Sequence, residues 1–432
     1  MLEIAKPSLI HYTVLFLSNL LPNNILANIA SGVNFMTVVT ARKVVPAVLL
    51  LAPFILGFAI ALDIYVPSIP EIHRYFSASP AVVQLTVSLF LLMTGIGQLI
   101  VGPLSDHYGR RVIIISGAMI YFLSSIAAAM SPNITFLIIA RLVQGFGACS
   151  MMVVCFAIVR DLFEGDECAR IYSYLNSTIA LSPLLAPSIG GYLALYYGWR
   201  ASFIFISVFA FLIVLLAIFK VKESLLCEKR VKLSQDLFVN YRHIFKSNTF
   251  KMYVFCASAG FGGFLTFFSV SPYIIIDLLH IPEQHFGIYF AGIGLVFFIG
   301  SLISGYLAKK IGTYKTALLG TIFMVLAGVV MLLWHLFFGL SIAGFIWPMM
   351  IMGVGGAFLM GAGAGGAIEP FPEMAGAASA LFGSCQFVFA FFTSTIALEW
   401  RVTSTVPLAF TLIGLGAVAC VLCLMCYKRC LK

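Results

Sequence analysis

Charge is what this sequence has least of. Only 9% of its 432 residues are Asp, Glu, Lys or Arg and 62% are hydrophobic, whereas charged residues make up about 25% of an ordinary soluble domain. That deficit excludes a water-soluble globular protein. Catalytic and metal-binding constellations are equally scarce. The seven His residues form no H-x-x-x-H pair inside the apolar runs, so neither an enzyme nor a resident metal or cofactor is expected. Cysteine offers one apparent exception, because Cys420, Cys423, Cys426 and Cys430 repeat the C-x2-C-x2-C-x3-C spacing of bacterial ferredoxins. On a helix those side chains step round the axis by about 100° per residue and do not converge on a cluster. The other six cysteines are scattered, which gives no disulfide framework. Neither a cleavable leader nor a thirteenth span is expected at the start. Residues 8–30 are apolar but interrupted by Asn19, Asn23, Asn24 and Asn28, with no small-residue cleavage pattern after them. Two readings of that segment stay open: a natural start at Met36, or a short interfacial helix.

What fills the chain instead is apolar runs of membrane-crossing length. A spanning helix takes about 20 mostly apolar residues, because hydrocarbon offers the backbone no water and the helix satisfies its own hydrogen bonds. Twelve such spans fall near 44–64, 82–101, 113–131, 134–158, 169–194, 201–219, 252–276, 286–307, 315–336, 341–364, 375–398 and 406–427. With a cytoplasmic amino terminus, 21 of the 25 Lys and Arg residues lie on the cytoplasmic side. Arg74, Arg200 and Arg401 lie opposite and Arg141 falls inside a span. That asymmetry follows the positive-inside rule and accounts for the net charge of +9 without invoking nucleic acid.

The longest polar stretch, residues 220–251, separates six spans from six. Sliding the chain by 203 positions lays GPLSDHYGRR (102–111) over GYLAKKIGTY (305–314), each copy following the second span of its half. The expected architecture is therefore an all-α polytopic membrane protein of two six-helix pseudo-repeats. Its segments are a cytoplasmic amino-terminal stretch (1–43), a first bundle (44–219), a cytoplasmic linker (220–251), a second bundle (252–427) and a cytoplasmic tail (428–432).

These motifs resemble a known family. GPLSDHYGRR, through Gly102, Leu104, Asp106, Gly109, Arg110 and Arg111, resembles the major facilitator superfamily signature G-x-L-[AS]-D-x-x-G-R-[RK]. LDIYVPSIP (62–70) and RLVQG (141–145) resemble the twelve-helix drug:proton antiporters. SPLLAPSIGG (182–191) resembles their seam motif G-P-x-x-G-G, with Ala186 in place of one glycine. Together with IVRDLFEGDE (158–167) and EPFPEMAGAA (369–378), they are similar to the bicyclomycin-resistance (Bcr/CflA) group. The resemblance implies a proton-driven exporter of drugs or other small amphipathic molecules in the bacterial inner membrane, working by alternating access. An exporter of an endogenous metabolite or siderophore, or a proton-coupled importer, fits the same scaffold. A monomer is expected, with protons, a small-molecule substrate and the lipid bilayer as its partners.

Site expectations follow from charge inside the bilayer, where each ionisable group costs about 2.5–3.5 kcal/mol on insertion scales. Only Asp63 and Arg141 qualify. Rising about 1.5 Å per residue, Asp63 comes near the outer end of the first span and Arg141 about 12 Å in from the outer face of the fourth. They are the expected proton-coupling pair, against plainer readings of Asp63 as a helix end at the headgroups and Arg141 as a structural charge on backbone carbonyls. Gly102, Asp106, Gly109, Arg110 and Arg111 form the expected gating latch. Pro183, Pro187, Gly190 and Gly191 form a kinked or sealing seam, and Tyr65 and Gln144 are the candidate substrate-cavity residues. Small residues in GVGGAFLMGAGAGG (353–366) should let neighbouring helices approach closely.

Overall fold

The computed structural model describes residues 35–225, 236–399 and 403–430. The amino-terminal segment before residue 35, residues 226–235 of the linker, residues 400–402 with Arg401 among them, and the last two residues lie outside the described residues. All regular elements described are helical. In chain order they are α1 (Phe35–Asp63), a short 3-10 turn (Val66–Ser68), α2 (Ile69–Phe76), α3 (Pro80–Tyr108), α4 (Arg110–Ala129), α5 (Ile134–Leu162), α6 (Gly165–Tyr197) and α7 (Arg200–Lys220). Then come α8 (Asp236–Lys246), α9 (Asn248–Pro272) ending in a wide π-helical turn, α10 (Glu283–Ile311), α11 (Thr313–Phe338), α12 (Ile342–Ile368), α13 (Ala375–Glu399) and α14 (Val406–Cys430). Twelve of these stretches are long and apolar enough to cross a bilayer, α2 continuing the first of them.

Helix starts are set by side-chain caps, which occupy amide donors that the first turn cannot satisfy itself. Ser79, Asn133, Ser247 and Ser341 accept hydrogen bonds from the amides of Val82, Phe136, Phe250 and Gly344. The pseudo-repeat is kept to the residue. Helix α10 begins and ends 203 positions after α3, and each is ended by a glycine at positive φ, Gly109 at 101° and Gly312 at 89°. An L side chain is strained there, so glycine is required.

The latch is thus not the open hairpin that a run of polar residues suggests. Gly102 and Asp106 lie inside α3, which extends seven residues past its expected end, and the turn is Gly109 alone. Polar residues at the end of a span do not stop a helix whose backbone is already satisfied; a glycine that takes up positive φ without strain does.

Helix α12 packs into α11 and α9. A Cβ at Gly320 would lie 2.9 Å from the Gly355 carbonyl, and one at Gly355 equally near the Gly320 carbonyl. The glycine run of α12 therefore gives the expected close approach. The two sets of six spans meet along two long helix pairs, α3 with α13 and α6 with α10. At the end remote from the latch, Arg74 and Asp277 form a 3.1 Å ion pair between the sets. Those two positions are also 203 apart, so the tie joins equivalent points of the repeat.

Candidate functional site

Arg141 is fully buried, eight residues into α5. Its Nε donates to the Thr86 carbonyl at 3.2 Å and Nη1 donates to Gln144 Oε1. The guanidinium carbon lies 4.4 Å from the ring centres of both Tyr65 and Phe90 and 5.9 Å from that of Phe203. Its Nη2 has no partner, and no carboxylate pairs with it among the described residues. Aromatic faces and carbonyl dipoles thus replace a counter-ion. Further hydrogen bonds tie the polar groups beside it. Gln144 donates to Ser125 Oγ (2.7 Å), Ser125 to the Tyr121 carbonyl (2.6 Å), and the Tyr121 hydroxyl to the Gly57 carbonyl (2.6 Å).

Asp63, the last residue of α1, is only 3% exposed. It makes no ion pair among the described residues. The Ser182 hydroxyl of α6 lies beside its carboxylate, just outside strict hydrogen-bond geometry. The chain then turns through Ile64 and Tyr65, and Pro67 lies inside the 3-10 turn that follows. Helix α6 presses on that turn at Gly190, where any Cβ would run into the Ile64 carbonyl. Pro183 and Pro187 lie within the one continuous α6, and Gly190 and Gly191 are buried. The seam motif therefore packs against the end of α1 at Asp63.

The expected pair is not brought together in this conformation. Tyr65, two residues past Asp63, is what reaches Arg141, its hydroxyl 3.2 Å from Thr86 Oγ1. Tyr65 and Gln144 are each 0% exposed and serve as Arg141's enclosure, not as an open cavity wall.

At the other end, Arg110 is 3% exposed and holds the latch. It pairs with Asp106 at 2.6 Å and with Asp161 of α5 at 2.9 Å, and Nη1 donates to Ser105 Oγ at 2.6 Å. The backbone amides of Arg110 and Arg111 donate to the two oxygens of Glu223, and Arg111 Nη2 donates to the Ile218 carbonyl. Negative charge at the amino terminus of α4 suits the helix dipole. Asp106, Arg110, Asp161 and Glu223 all belong to the first six spans or the segment just after them, so the latch ties α3, α4, α5 and the chain beyond α7 within one half. Around Gly102 no atom lies within 4 Å of a Cβ position, so it makes no close approach here.

Comparison with known proteins agrees with this architecture. The sequence pattern of the Major Facilitator Superfamily matches residues 49–394. The chain belongs to that superfamily. It is a transporter, not an enzyme. Among its relatives, the chloramphenicol resistance protein of Pseudomonas aeruginosa is 29% identical over 78% of this chain and 79% of its own length. The bicyclomycin resistance protein homolog of Haemophilus influenzae is 29% identical over 81% of this chain and 88% of its own. The xylose transporter XylE from E. coli, in a partially occluded inward open conformation, shares the fold with a TM-score of 0.67 at 15% identity, covering 90% of this chain and 98% of that one.

Several residues of this superfamily member's sites escaped sequence reasoning. Asp161 sits inside the IVRDLFEGDE segment, where its place beside Arg160 in a familiar run was the one available signal. Glu223, Thr86 and Ser125 carry no local pattern, because they meet their partners only through helix packing; Ser182 opens the SPLLAPSIGG run, but nothing in that run points to Asp63 as its neighbour.

Proposed function

We propose that this chain is a proton-driven exporter of drugs or other small amphipathic molecules, a monomer in the bacterial inner membrane with both termini cytoplasmic. The positive-inside distribution of Lys and Arg supports that orientation, which places the latch at the cytoplasmic face. The names of its relatives, chloramphenicol resistance protein and bicyclomycin resistance protein homolog, support export.

One observation carries the proton assignment. Asp63 is the sole acid in the span interiors of the sequence, and it is buried at the contact of α1 with α6 without a cation against it. Alternating access needs two global states whose balance a ligand can shift. Whether Asp63 carries a charge changes the cost of burying it by several kcal/mol, enough to move a two-state balance from one side to the other. Protonated from the outer side, Asp63 packs neutrally against Ser182. Once its site opens to the cytoplasm the proton leaves, and the freed carboxylate is drawn towards Arg141, whose Nη2 is unfilled. The substrate leaves on the opposite stroke.

The test is expression in a pump-deficient bacterium, scoring resistance to a drug panel with and without an uncoupler. Protection that the uncoupler abolishes is the expected result. Protection that persists undiminished overturns proton drive, and no protection against any compound overturns drug export.

A further inference from the structure

Between the Arg74–Asp277 ion pair at one end and Arg160 beside Gly376 at the other, the two halves meet through an uncharged seam. In the second half no Asp, Glu, Lys or Arg occurs in residues 252–276, 284–308, 316–368, 374–398 or 402–427. The first half has only Asp63 and Arg141 in its span interiors, and both point elsewhere. Asp63 faces Ser182 of α6, while its neighbours Leu62 and Val66 face Leu265, Phe268 and Ser269 of α9. Arg141 is walled in by Tyr65, Phe90 and Phe203, all of the first half.

What the halves present to each other is amide, hydroxyl and phenyl. Gln84 donates to Ser269 Oγ at 2.6 Å, and Ser88 Oγ lies 3.4 Å from Ser394 Oγ. All four residues are at most 1% exposed, and Gln84 Oε1 has no partner. Phe387 of α13 meets Phe58 of α1 edge-on, with ring centres 5.6 Å apart.

We infer that the molecule carried is neutral, an apolar ring-bearing body with several hydroxyl or amide groups, and not a permanent cation. This rests on the export reading. Rocking of one half against the other parts these same surfaces and makes them the walls of the central cavity. Parting leaves the Gln84 amide and the serine hydroxyls without partners, and a ligand's hydroxyls and amides replace what was lost. A cation would find no carboxylate among these seam residues, since Asp63 lies on the side of α1 that faces Ser182 of α6. Phenyl faces attract cations, but they return only part of the hydration that an ion loses on entering a site with no counter-charge.

The experiment uses the full chain in a pump-deficient bacterium, with two panels: neutral compounds (chloramphenicol and bicyclomycin) and permanent cations (tetraphenylphosphonium and ethidium). Protection against neutral compounds and not against cations is expected. Gln84→Leu in the purified protein should weaken binding of the protected compound about five- to tenfold, the effect of one lost hydrogen bond. Gln84→Glu, of the same size, should admit the cations. Protection against cations equal to or greater than that against neutral compounds overturns the inference and leaves export standing. A Gln84→Glu protein that folds, still exports the neutral compounds and gains no cation transport also overturns it. Failure with both panels overturns the export reading, and this inference with it.

Discussion

Arg110 holds two carboxylates of unequal shelter, and their energies should differ accordingly. Asp106 has the shorter contact, 2.6 Å, but is 39% exposed and only four residues away; Asp161 is at 2.9 Å, 15% exposed, and comes from α5. A sheltered hydrogen bond between charged groups contributes about 1.5–3 kcal/mol, whereas an exposed i,i+4 pair contributes about 0.3–0.5 kcal/mol. A double-mutant cycle should therefore give about 2 kcal/mol of coupling between Arg110 and Asp161 and under about 1 kcal/mol between Arg110 and Asp106. Arg110→Ala alone should cost about 3 kcal/mol, because it strands a mostly buried carboxylate. Arg110→Lys should fall between, since an ammonium keeps the charge but loses the planar fork that reaches Ser105 and Asp161 together. Reversible unfolding of the purified protein in mixed micelles gives these values from the denaturant midpoint. Coupling to Asp106 that equals or exceeds coupling to Asp161 would refute the reasoning, since burial would then not be what ranks the two.

Other substitutions follow from the same geometry. Gly109→Ala should cost about 1–3 kcal/mol through its positive φ, whereas Gly102→Ala, with open space around it, should change stability by less than about 1 kcal/mol; thermal stability of the two purified variants separates them. Gly190→Leu should abolish transport while Gly414→Leu, where open space also surrounds the position, should not, and equal activity would show that α6 does not need its contact with Ile64. Arg74→Glu sets two like charges at the end remote from the latch. An exposed pair contributes about 0–1 kcal/mol, so the population open at that end should rise by about twofold to fivefold in spin-label distance distributions. Arg74→Glu with Asp277→Arg should restore it.

How much was legible depended on whether the information was local. Twelve spans, two halves and the 203-residue offset were readable because apolar runs and charge clusters are properties of consecutive residues. The helical continuation through Gly102 and Asp106 was not, since polarity marks where a bilayer ends and not where a helix does. Asp63 and Arg141 stood out because charge in a span is rare. Their separation did not, because it turns on which way α1 faces after Asp63. Tyr65 and Gln144 were expected as cavity residues, and only packing reveals that they enclose Arg141. The second carboxylate of the latch, Asp161, lies 51 residues from Arg110, beyond any spacing rule.

Asp63 as the proton carrier is the central claim, and purified protein in proteoliposomes tests it most directly. With Asp63→Asn, exchange of labelled against unlabelled substrate should continue, while accumulation driven by an imposed pH gradient should vanish. Gradient-driven accumulation by Asp63→Asn at the parent's level would contradict the account.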